Sequence, residues 1–390
     1  MKTLIKNANI ITPYEIKKGS SLVIENGKIS NIFNGEIYNE ESYDKIIDGE
    51  GKYLSPGFID LHNHGNFGHD AMEGTYESLD IIADFHIKKG VTSFLATTMT
   101  EEADKIKKAV KNIGEYVNDG ENNRDVKAQV LGVYLEGPYF SMEKKGAQPP
   151  QYIKNPDLEE IKNLIELSKN TIKIVALAPE IEGAKEAIKY LKEKGITISA
   201  GHTNGTFDEA KSGIDLGITQ ATHLYNGMRA YSHREPGVIG AVLTDERVAC
   251  EMICDGIHLH VGAMDLAVKM KGKDGIILIS DAMMATGLED GKYELGGQDV
   301  YVKEGAARLE DGTLAGSTLT LNKAVYNMVH MVNIPLEDAV RMASLNPARA
   351  IGVDNKKGSI EIGKDADLII FDDDLNILKA MVKGKVRNFK

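Results

Sequence analysis

The chain has 390 residues, of which 42% are hydrophobic and 27% are charged, a composition typical of a soluble globular protein. Its formal net charge is −12 and it has no block of basic residues, which argues against binding to nucleic acid or to an anionic membrane. The chain is longer than a typical domain, so we expect one large domain and one smaller domain.

The N-terminal residues and the two cysteines favour a cytoplasmic location. Residues 1–7 lack the apolar core of a signal peptide, and no stretch reaches the roughly 20 apolar residues of a membrane span. Cys250 and Cys254 lie close together in an apolar run, which is typical of small buried core residues rather than of disulfide partners. We therefore expect a reducing, cytoplasmic environment.

Both ends of the chain are predicted to be rich in β-strands. Apolar or alternating runs punctuated by turn residues occur at 4–11, 21–25, 28–33, 367–371 and 377–382. Neither flank is long enough to form a stable core alone. We therefore expect residues 1–54 and 355–390 to join into one small β-sandwich domain.

The middle of the chain alternates strand and helix patterns. The candidate strands are residues 57–62, 91–97, 129–136, 173–178, 196–200, 220–223, 248–255 and 275–281. Predicted helices lie between most of them, and those at 76–89 and 181–194 are each followed by a glycine that can end a helix. Eight such strands predict an α/β fold, a (β/α)8 TIM barrel spanning residues 55–354. An irregular or hairpin insertion is expected after Asp281, through residues 294–309, followed by helices at 318–332 and 335–351.

Polar side chains fall at or just after the carboxyl ends of these predicted strands. They are His62, His64, Glu136, His202, His223, Asp255, His258 and Asp281. In a barrel of parallel strands these ends meet on one face, where the active sites of this fold lie. The predicted barrel would therefore bring together polar residues that are far apart along the chain.

A histidine–carboxylate set at these ends predicts a metal centre. His62 and His64 alternate in an extended segment, so both imidazoles point the same way, although such a pair alone also fits surface or core histidines. His202, His223 and Glu136 form a set of ligands that suits a divalent ion with one coordination position open to water. Each histidine alone is also compatible with a buried core residue whose ring nitrogens are hydrogen-bonded. Zinc, iron, manganese and cobalt all accept these ligands, with one or two ions per chain.

Three further segments are candidates for catalysis or for ligand binding. Asp281 ends an apolar run and can accept a proton from water, and the alternative is an ion pair inside the barrel. The guanidinium group of Arg234 can make two hydrogen bonds to a phosphate, and the alternative is a surface ion pair with Glu235. The main-chain N–H groups of residues 314–317 can receive a substrate oxygen, and the alternative is a helix entry capped by Ser317.

Several motifs resemble the amidohydrolase superfamily, and more narrowly its N-acetylglucosamine-6-phosphate deacetylase family. At the two ends of the barrel these are Pro56-Gly57-Phe58-Ile59-Asp60-Leu61-His62 and Gly363-Lys364-Asp365-Ala366-Asp367-Leu368. Between them lie Leu135-Glu136-Gly137-Pro138, Ala200-Gly201-His202-Thr203, Thr222-His223-Leu224-Tyr225-Asn226, Arg234-Glu235-Pro236-Gly237, Asp255-Gly256-Ile257-His258, Asp281-Ala282 and Ser344-Leu345-Asn346-Pro347-Ala348-Arg349, in the family's order.

The resemblance implies a role for each matching residue. Glu136, His202 and His223 would hold a metal ion, His62 and His64 a second one, and Asp281 would be the catalytic acid/base. Substrate contacts are implied for Ala147, Gln148, Asn226, Gly227, Arg234, Asp255, His258, Leu314, Ala315 and Gly316. The family often has a histidine where this chain has Gln148, which donates a hydrogen bond but carries no charge. A homodimer or higher homo-oligomer is implied, with the substrate-binding arginine available from a partner chain.

The reaction implied is hydrolysis of N-acetyl-D-glucosamine 6-phosphate to D-glucosamine 6-phosphate and acetate. The same chemistry on N-acetylgalactosamine 6-phosphate is the alternative. A cyclic amide hydrolase commonly bridges two metals with a carboxylated lysine, and Glu136 argues against it. A metal-binding scaffold without activity is disfavoured because Asp281 is retained beside the histidines.

Overall fold

The computed structural model describes residues 1–35, 39–119 and 126–389. Within them the strands are β1 (Lys2–Ile11), β2 (Ile16–Glu25), β3 (Lys28–Phe33), β4 (Lys45–Asp48), β5 (Tyr53–Pro56), β6 (Phe58–Asp60), β7 (Gly65–Asn66), β8 (His69–Asp70), β9 (Val91–Thr97), β10 (Gln129–Glu136), β11 (Ile172–Leu177), β12 (Thr197–Ala200), β13 (Gln220–Ala221), β14 (Ala249–Ile253), β15 (Ile276–Ile279), β16 (Gly291–Leu295), β17 (Gln298–Lys303), β18 (Ala306–Arg308), β19 (Leu368–Phe371), β20 (Ile377–Val382) and β21 (Lys385–Asn388).

The α-helices follow the strands of the barrel for most of its length. They are α1 (Tyr76–Lys88), α2 (Ala103–Asn118), α3 (Leu158–Leu167), α4 (Ala184–Glu193), α5 (Phe207–Leu216), α6 (Gly237–Thr244), α7 (Val261–Lys271), α8 (Leu321–Met331), α9 (Leu336–Met342) and α10 (Leu345–Ala350). Short 3-10 helices occur at Glu40–Ser42, Ala71–Glu73, Met142–Lys144 and Pro150–Tyr152. None of the helices in the described ranges is both long and apolar enough to cross a membrane.

Eight parallel strands form the barrel. Their order is β6-β9-β10-β11-β12-β13-β14-β15, and each strand pairs with its neighbours in parallel. The two edges meet just beyond β6 and β15, where the main-chain N–H of Asp281 donates to the carbonyl of His62 at 2.9 Å. An isolated parallel bridge between Asn63 and Ala282 adds to this closure. The predicted (β/α)8 barrel is therefore confirmed.

Local sequence explains the barrel strands and helices. All residues of β9 and β15 are buried, as expected for parallel strands that are covered on both faces. Helix α2 buries Ile106, Ala109, Val110 and Ile113, which the helical repeat places on one face. Helix α5 is capped by Thr206, the residue before its start, whose side chain accepts from the N–H of residue 209 in a capping box.

The two flanks of the chain join in one mixed sheet. Its strand order is β21-β20-β19-β5-β1-β2-β3, with β4 also paired to β1, and β5 pairs antiparallel with β19. The sheet has a hydrophobic core of its own that includes Ile5, Leu22, Leu54, Leu368 and Met381. The predicted association of the N- and C-terminal segments is confirmed. The division into 1–54 with 355–390 and 55–354 stays a prediction.

Three elements differ from the sequence prediction. The helix predicted over 335–351 is two helices, α9 and α10, because Pro347 has no N–H and its ring cannot pass the carbonyl of residue 343 in a continuous helix. The sixth barrel strand is only Gln220–Ala221, so His223 lies in the turn after it. The insertion predicted to be irregular or a hairpin is a three-stranded antiparallel sheet of β16, β17 and β18.

Candidate active site

A cavity of about 180 Å³ opens at the carboxyl ends of the barrel strands. It is lined by most of the residues that the sequence analysis selected: His64, Glu136, Ala147, Gln148, His202, His223, Asn226, Gly227, His258, Asp281, Leu314 and Gly316. Gly146, Met99, Leu295 and Thr313 also line it, and they were missed because no local pattern distinguishes them. The strand ends therefore converge as predicted.

Strained backbone turns direct three of these side chains. His202, His223 and Asp281 have φ angles of 44°, 31° and 50°, in the left-handed region that residues other than glycine rarely adopt. Each lies two positions after the last residue of a barrel strand. Such strain costs roughly 1–3 kcal/mol per residue and persists mainly where the surrounding structure imposes it, often at functional sites.

Glu136, His202 and His223 form one compact group. The Nε2 atoms of His202 and His223 lie 3.3 and 3.1 Å from Glu136 Oε1. Their Nδ1 atoms lie 2.9 and 3.1 Å from the carbonyl oxygens of Lys144 and Asn226. Because a carbonyl only accepts, both Nδ1 atoms carry a proton, which leaves each Nε2 as the ring nitrogen that can offer a lone pair to an ion at the centre of the group.

His62 and His64 complete a second group around the same carboxylate. His64 Nε2 lies 3.2 Å from Glu136 Oε2 and 3.3 Å from Asp281 Oδ1. His62 Nε2 lies 3.6 Å from Glu136 Oε1 and 3.4 Å from Asp281 Oδ1. In each of the two groups the ligating atoms lie within 4.8 Å of one another, and Glu136 belongs to both groups. His62 itself is fully buried behind the cavity lining.

This arrangement fits a divalent cation. Among the described residues, His62 Nε2 is a buried polar atom without a hydrogen-bond partner, and it faces Glu136 and Asp281. Buried polar atoms of this kind are rare in proteins unless a ligand or ion engages them. Four imidazoles and a carboxylate match the ligands of zinc, iron, manganese and cobalt, so the residues fit one or two such ions.

The electrostatics of the cluster favour positive charge. Burial lowers the pKa of His64, but the carboxylates of Asp281 and Glu136 outweigh it and raise that pKa to about 9. Burial also lowers the pKa of His62, and the same two carboxylates raise it well above its ordinary value. Burial raises the pKa of Glu136, yet the surrounding imidazoles hold it well below its usual range. A metal cation at this position would be stabilised by the same carboxylates that favour protonated histidines.

Asp281 is held as an ionised carboxylate beside the cluster. Burial raises its pKa, but His62 and His64 outweigh this and lower it. Its main chain is fixed on both sides, because its N–H donates to His62 and its carbonyl accepts from the N–H of Ser317 at 2.7 Å. An ionised carboxylate on the cavity wall is suited to accept a proton.

Both polar atoms of the Gln148 side chain have partners within the protein. Its Oε1 accepts from the main-chain N–H of Thr100 at 3.0 Å, which fixes the orientation of the amide. Its Nε2 therefore faces Glu136 and donates to Oε2 at 3.0 Å. Gln148 lines the cavity as expected, but its amide positions Glu136.

Three predicted substrate contacts do not line the cavity. Arg234 lies on an exposed turn, because Glu235 accepts from the N–H groups of Phe207 and Gly237 and holds this loop at the surface. Ala315 is fully buried beneath the inserted sheet. Asp255 accepts from Nδ1 of His258 at 2.7 Å, so it orients His258 instead of facing the cavity.

Two buried carboxylates behind the site were missed by the sequence analysis. Glu251 contacts His62 Nδ1 at 3.1 Å, and Asp60 accepts from the Ser280 hydroxyl at 2.6 Å. Burial raises the pKa of Asp60 to about 7. An acidic residue inside the apolar run of β14 was the available signal for Glu251.

Comparison with known proteins agrees with this geometry. Residues 53–387 match the model of the amidohydrolase family. The chain is 41% identical over 387 residues to N-acetylglucosamine-6-phosphate deacetylase from Lysinibacillus sphaericus, covering 99% of this chain and 98% of that one. It is 40% identical over 344 residues to N-acetylgalactosamine-6-phosphate deacetylase from Escherichia coli O157:H7, covering 88% and 90%.

A solved structure is similar over nearly the whole chain. It is a mutant N-acetyl-D-glucosamine-6-phosphate deacetylase from Mycobacterium smegmatis in complex with N-acetyl-D-glucosamine-6-phosphate. The TM-score is 0.92 at 32% sequence identity, with 99% of each chain covered.

Proposed function

The chain belongs to the amidohydrolase family, and from this premise we propose that it hydrolyses N-acetyl-D-glucosamine 6-phosphate to D-glucosamine 6-phosphate and acetate. It is a hydrolase that acts on a linear amide bond. The observation that carries the proposal is the convergence of Glu136, His202 and His223 on one point, with the ionised Asp281 facing the same cavity. Similarity along the entire chain to deacetylases of this substrate supports it.

The metal-binding residues are Glu136, His202 and His223 for one ion, with His62 and His64 sharing Glu136 for a second. When bound, a divalent cation supplies a Lewis acid that polarises the acetyl carbonyl and makes water nucleophilic near neutral pH. The metal is zinc, iron, manganese or cobalt. The Nδ1 hydrogen bonds of His202 and His223 keep both rings in the orientation that this role requires.

Asp281 acts as the proton carrier. Its carboxylate takes a proton from the attacking water and then delivers that proton to the departing amine nitrogen, which is otherwise a poor leaving group. His258 is oriented by Asp255 through Nδ1, which leaves Nε2 as its ring nitrogen available to a substrate oxygen. In its imidazolium form, paired with the Asp255 carboxylate, the ring also carries a proton on Nε2, and this N–H donates to the acetyl oxygen and stabilises the charge that develops there.

We infer that a cation from outside this cavity recognises the phosphate. Among the described residues, the cavity lining contains neither lysine nor arginine. The exposed position of Arg234 suits a role across an interface between two copies of the chain. We therefore include a homodimer or higher homo-oligomer in the proposal. The two cysteines, both buried free thiols, are compatible with a cytoplasmic location.

The alternative substrate is N-acetylgalactosamine 6-phosphate, which the Escherichia coli relative is named for. The similarity to the solved complex with N-acetyl-D-glucosamine-6-phosphate favours the glucosamine substrate. Metal analysis of the purified protein together with kcat/KM on both sugar phosphates tests the proposal. We expect bound divalent metal and the higher kcat/KM on the glucosamine epimer, whereas a higher value on the galactosamine epimer would select the alternative.

A further inference from the structure

Glu251 lies inside the barrel, behind the metal-ligand groups. It stands in the middle of β14 and is fully buried. Its Oε2 lies 3.1 Å from His62 Nδ1 and accepts from the main-chain N–H of His223 at 3.2 Å. Its Oε1 accepts from the side-chain amide of Gln220. The carboxylate therefore meets three donors but does not line the cavity.

A carboxylate at this position is costly unless it has a specific role. Burying an ionised carboxylate carries a large desolvation penalty, and the neighbours of Glu251 on β14 are apolar. Its three donors reduce this penalty, and only His62 among them can carry a positive charge. An apolar residue would pack into this layer of the barrel at lower cost.

The contact with Glu251 determines which nitrogen of His62 faces the cluster. A carboxylate accepts, so Nδ1 of His62 carries a proton, and Nε2 is the ring nitrogen left to offer its lone pair to a metal ion. That Nε2 is buried, has no hydrogen-bond partner in the described part of the chain, and points toward Glu136 and Asp281. A carboxylate behind a histidine ligand fixes its tautomer and ring orientation in this way.

We propose that Glu251 is the positioning residue that makes His62 an Nε2 ligand of a second metal ion. Because the same oxygen also accepts from the N–H of His223, Glu251 connects the His62–His64–Glu136 group to the Glu136–His202–His223 group. The inference rests on the proposed metal-dependent function. It predicts that the second ion depends on Glu251 more strongly than the first.

The first test measures metal affinity in Glu251→Gln. Gln keeps the size of the side chain, but it has one acceptor oxygen in place of two and no charge. Competition between the protein and a chromophoric chelator for Zn²⁺ should show two sites per wild-type chain. In the variant, one site should weaken by roughly 10–100-fold while the other stays within about threefold of wild type.

Asp245→Asn is the matched control. Asp245 is a buried carboxylate at the opposite end of the barrel that pairs with Lys211 and Arg247. Its loss should lower stability and leave both metal affinities unchanged. Wild-type affinity at both sites in Glu251→Gln would overturn the inference, and so would a wild-type chain that never binds more than one ion.

A second measurement needs no variant at Glu251, in case that variant does not fold. In wild-type protein loaded with Zn²⁺, ¹⁵N NMR of the histidine rings, assigned with His62→Gln, should show His62 protonated at Nδ1 and bound to metal through Nε2. Coordination through Nδ1, or a proton on Nε2, would overturn the inference. Neither test measures hydrolysis, so two ions without deacetylation would contradict the proposed function and leave the role of Glu251 intact.

Discussion

The Nε2 atoms of His202 and His223 lie only 3.2 Å apart. Both rings direct Nδ1 to a main-chain carbonyl, so these two Nε2 atoms present lone pairs to each other and to Glu136 Oε1. Three electron-rich atoms at this distance repel one another unless a cation or a proton joins them. The short distance between these three atoms is therefore the physical reason to expect a cation between them.

The number of ions is tested by the double change His62→Asn with His64→Asn. Metal content after loading with excess metal and desalting should fall from near two to near one per chain, because the Glu136–His202–His223 group remains. His69→Asn is the control, since His69 is half-buried and pairs with Glu73 outside the cluster. A wild-type protein that holds a single ion even in excess metal would contradict the two-ion claim and leave the deacetylase assignment standing.

Gln148 is expected to act through Glu136. Gln148→Leu leaves Glu136 Oε2 without its amide donor, so metal affinity and kcat should each fall by roughly 10–100-fold, with KM little changed. Gln298→Leu is a suitable control, because Gln298 donates to the carbonyl of Ala147 nearby and does not touch Glu136. A variant with normal metal affinity and a raised KM would instead make Gln148 a substrate contact.

Arg234 is expected to recognise the phosphate across an interface. Arg234→Ala should lower kcat/KM for N-acetyl-D-glucosamine 6-phosphate by roughly 10–100-fold, since hydrogen bonds to charged groups contribute about 1.5–3 kcal/mol. The loss on unphosphorylated N-acetylglucosamine should be much smaller. Arg349→Ala, an exposed arginine at the opposite end of the barrel, should change neither substrate. Equal losses on both substrates from Arg234→Ala would give this residue a structural role only.

His86 should make the fold sensitive to acid. It is buried on α1 against Phe94, its Nε2 has no partner among the described residues, and burial lowers its pKa to about 3. The unfolded chain takes up this proton near pH 6.5 while the folded chain does not, so stability is lost as pH falls below that value. At pH 5 the loss is about 2 kcal/mol.

The measurement is the free energy of unfolding at pH 7.5 and pH 5 for metal-free wild type and His86→Leu. The difference between the two pH values should be about 2 kcal/mol smaller in the variant. His330→Leu replaces an exposed histidine and should retain the wild-type dependence. The same pH dependence in His86→Leu and wild type would show that His86 is not responsible.

Much of this molecule is predictable from local pattern. Strand patterns such as those of β9 and the wholly apolar β15, separated by capped helices, predict a barrel, and polar residues at the strand ends then share one face. Glu251 could not be found in this way, because its partner His62 is 189 positions away and only barrel closure brings them together. The surface position of Arg234 depends on where Glu235 finds its donors, which no spacing rule encodes.

The central claim is tested most directly by acetate release from N-acetyl-D-glucosamine 6-phosphate, measured for metal-loaded wild type and for Asp281→Asn. Asn keeps the shape of the side chain but cannot accept the proton, so turnover should fall by about 10²–10⁴-fold while metal content and substrate binding are retained. The account predicts rapid release by wild type and almost none by the variant. A variant that keeps more than a tenth of wild-type turnover would remove Asp281 from the mechanism, and a fully metal-loaded wild type that releases no acetate would contradict the account.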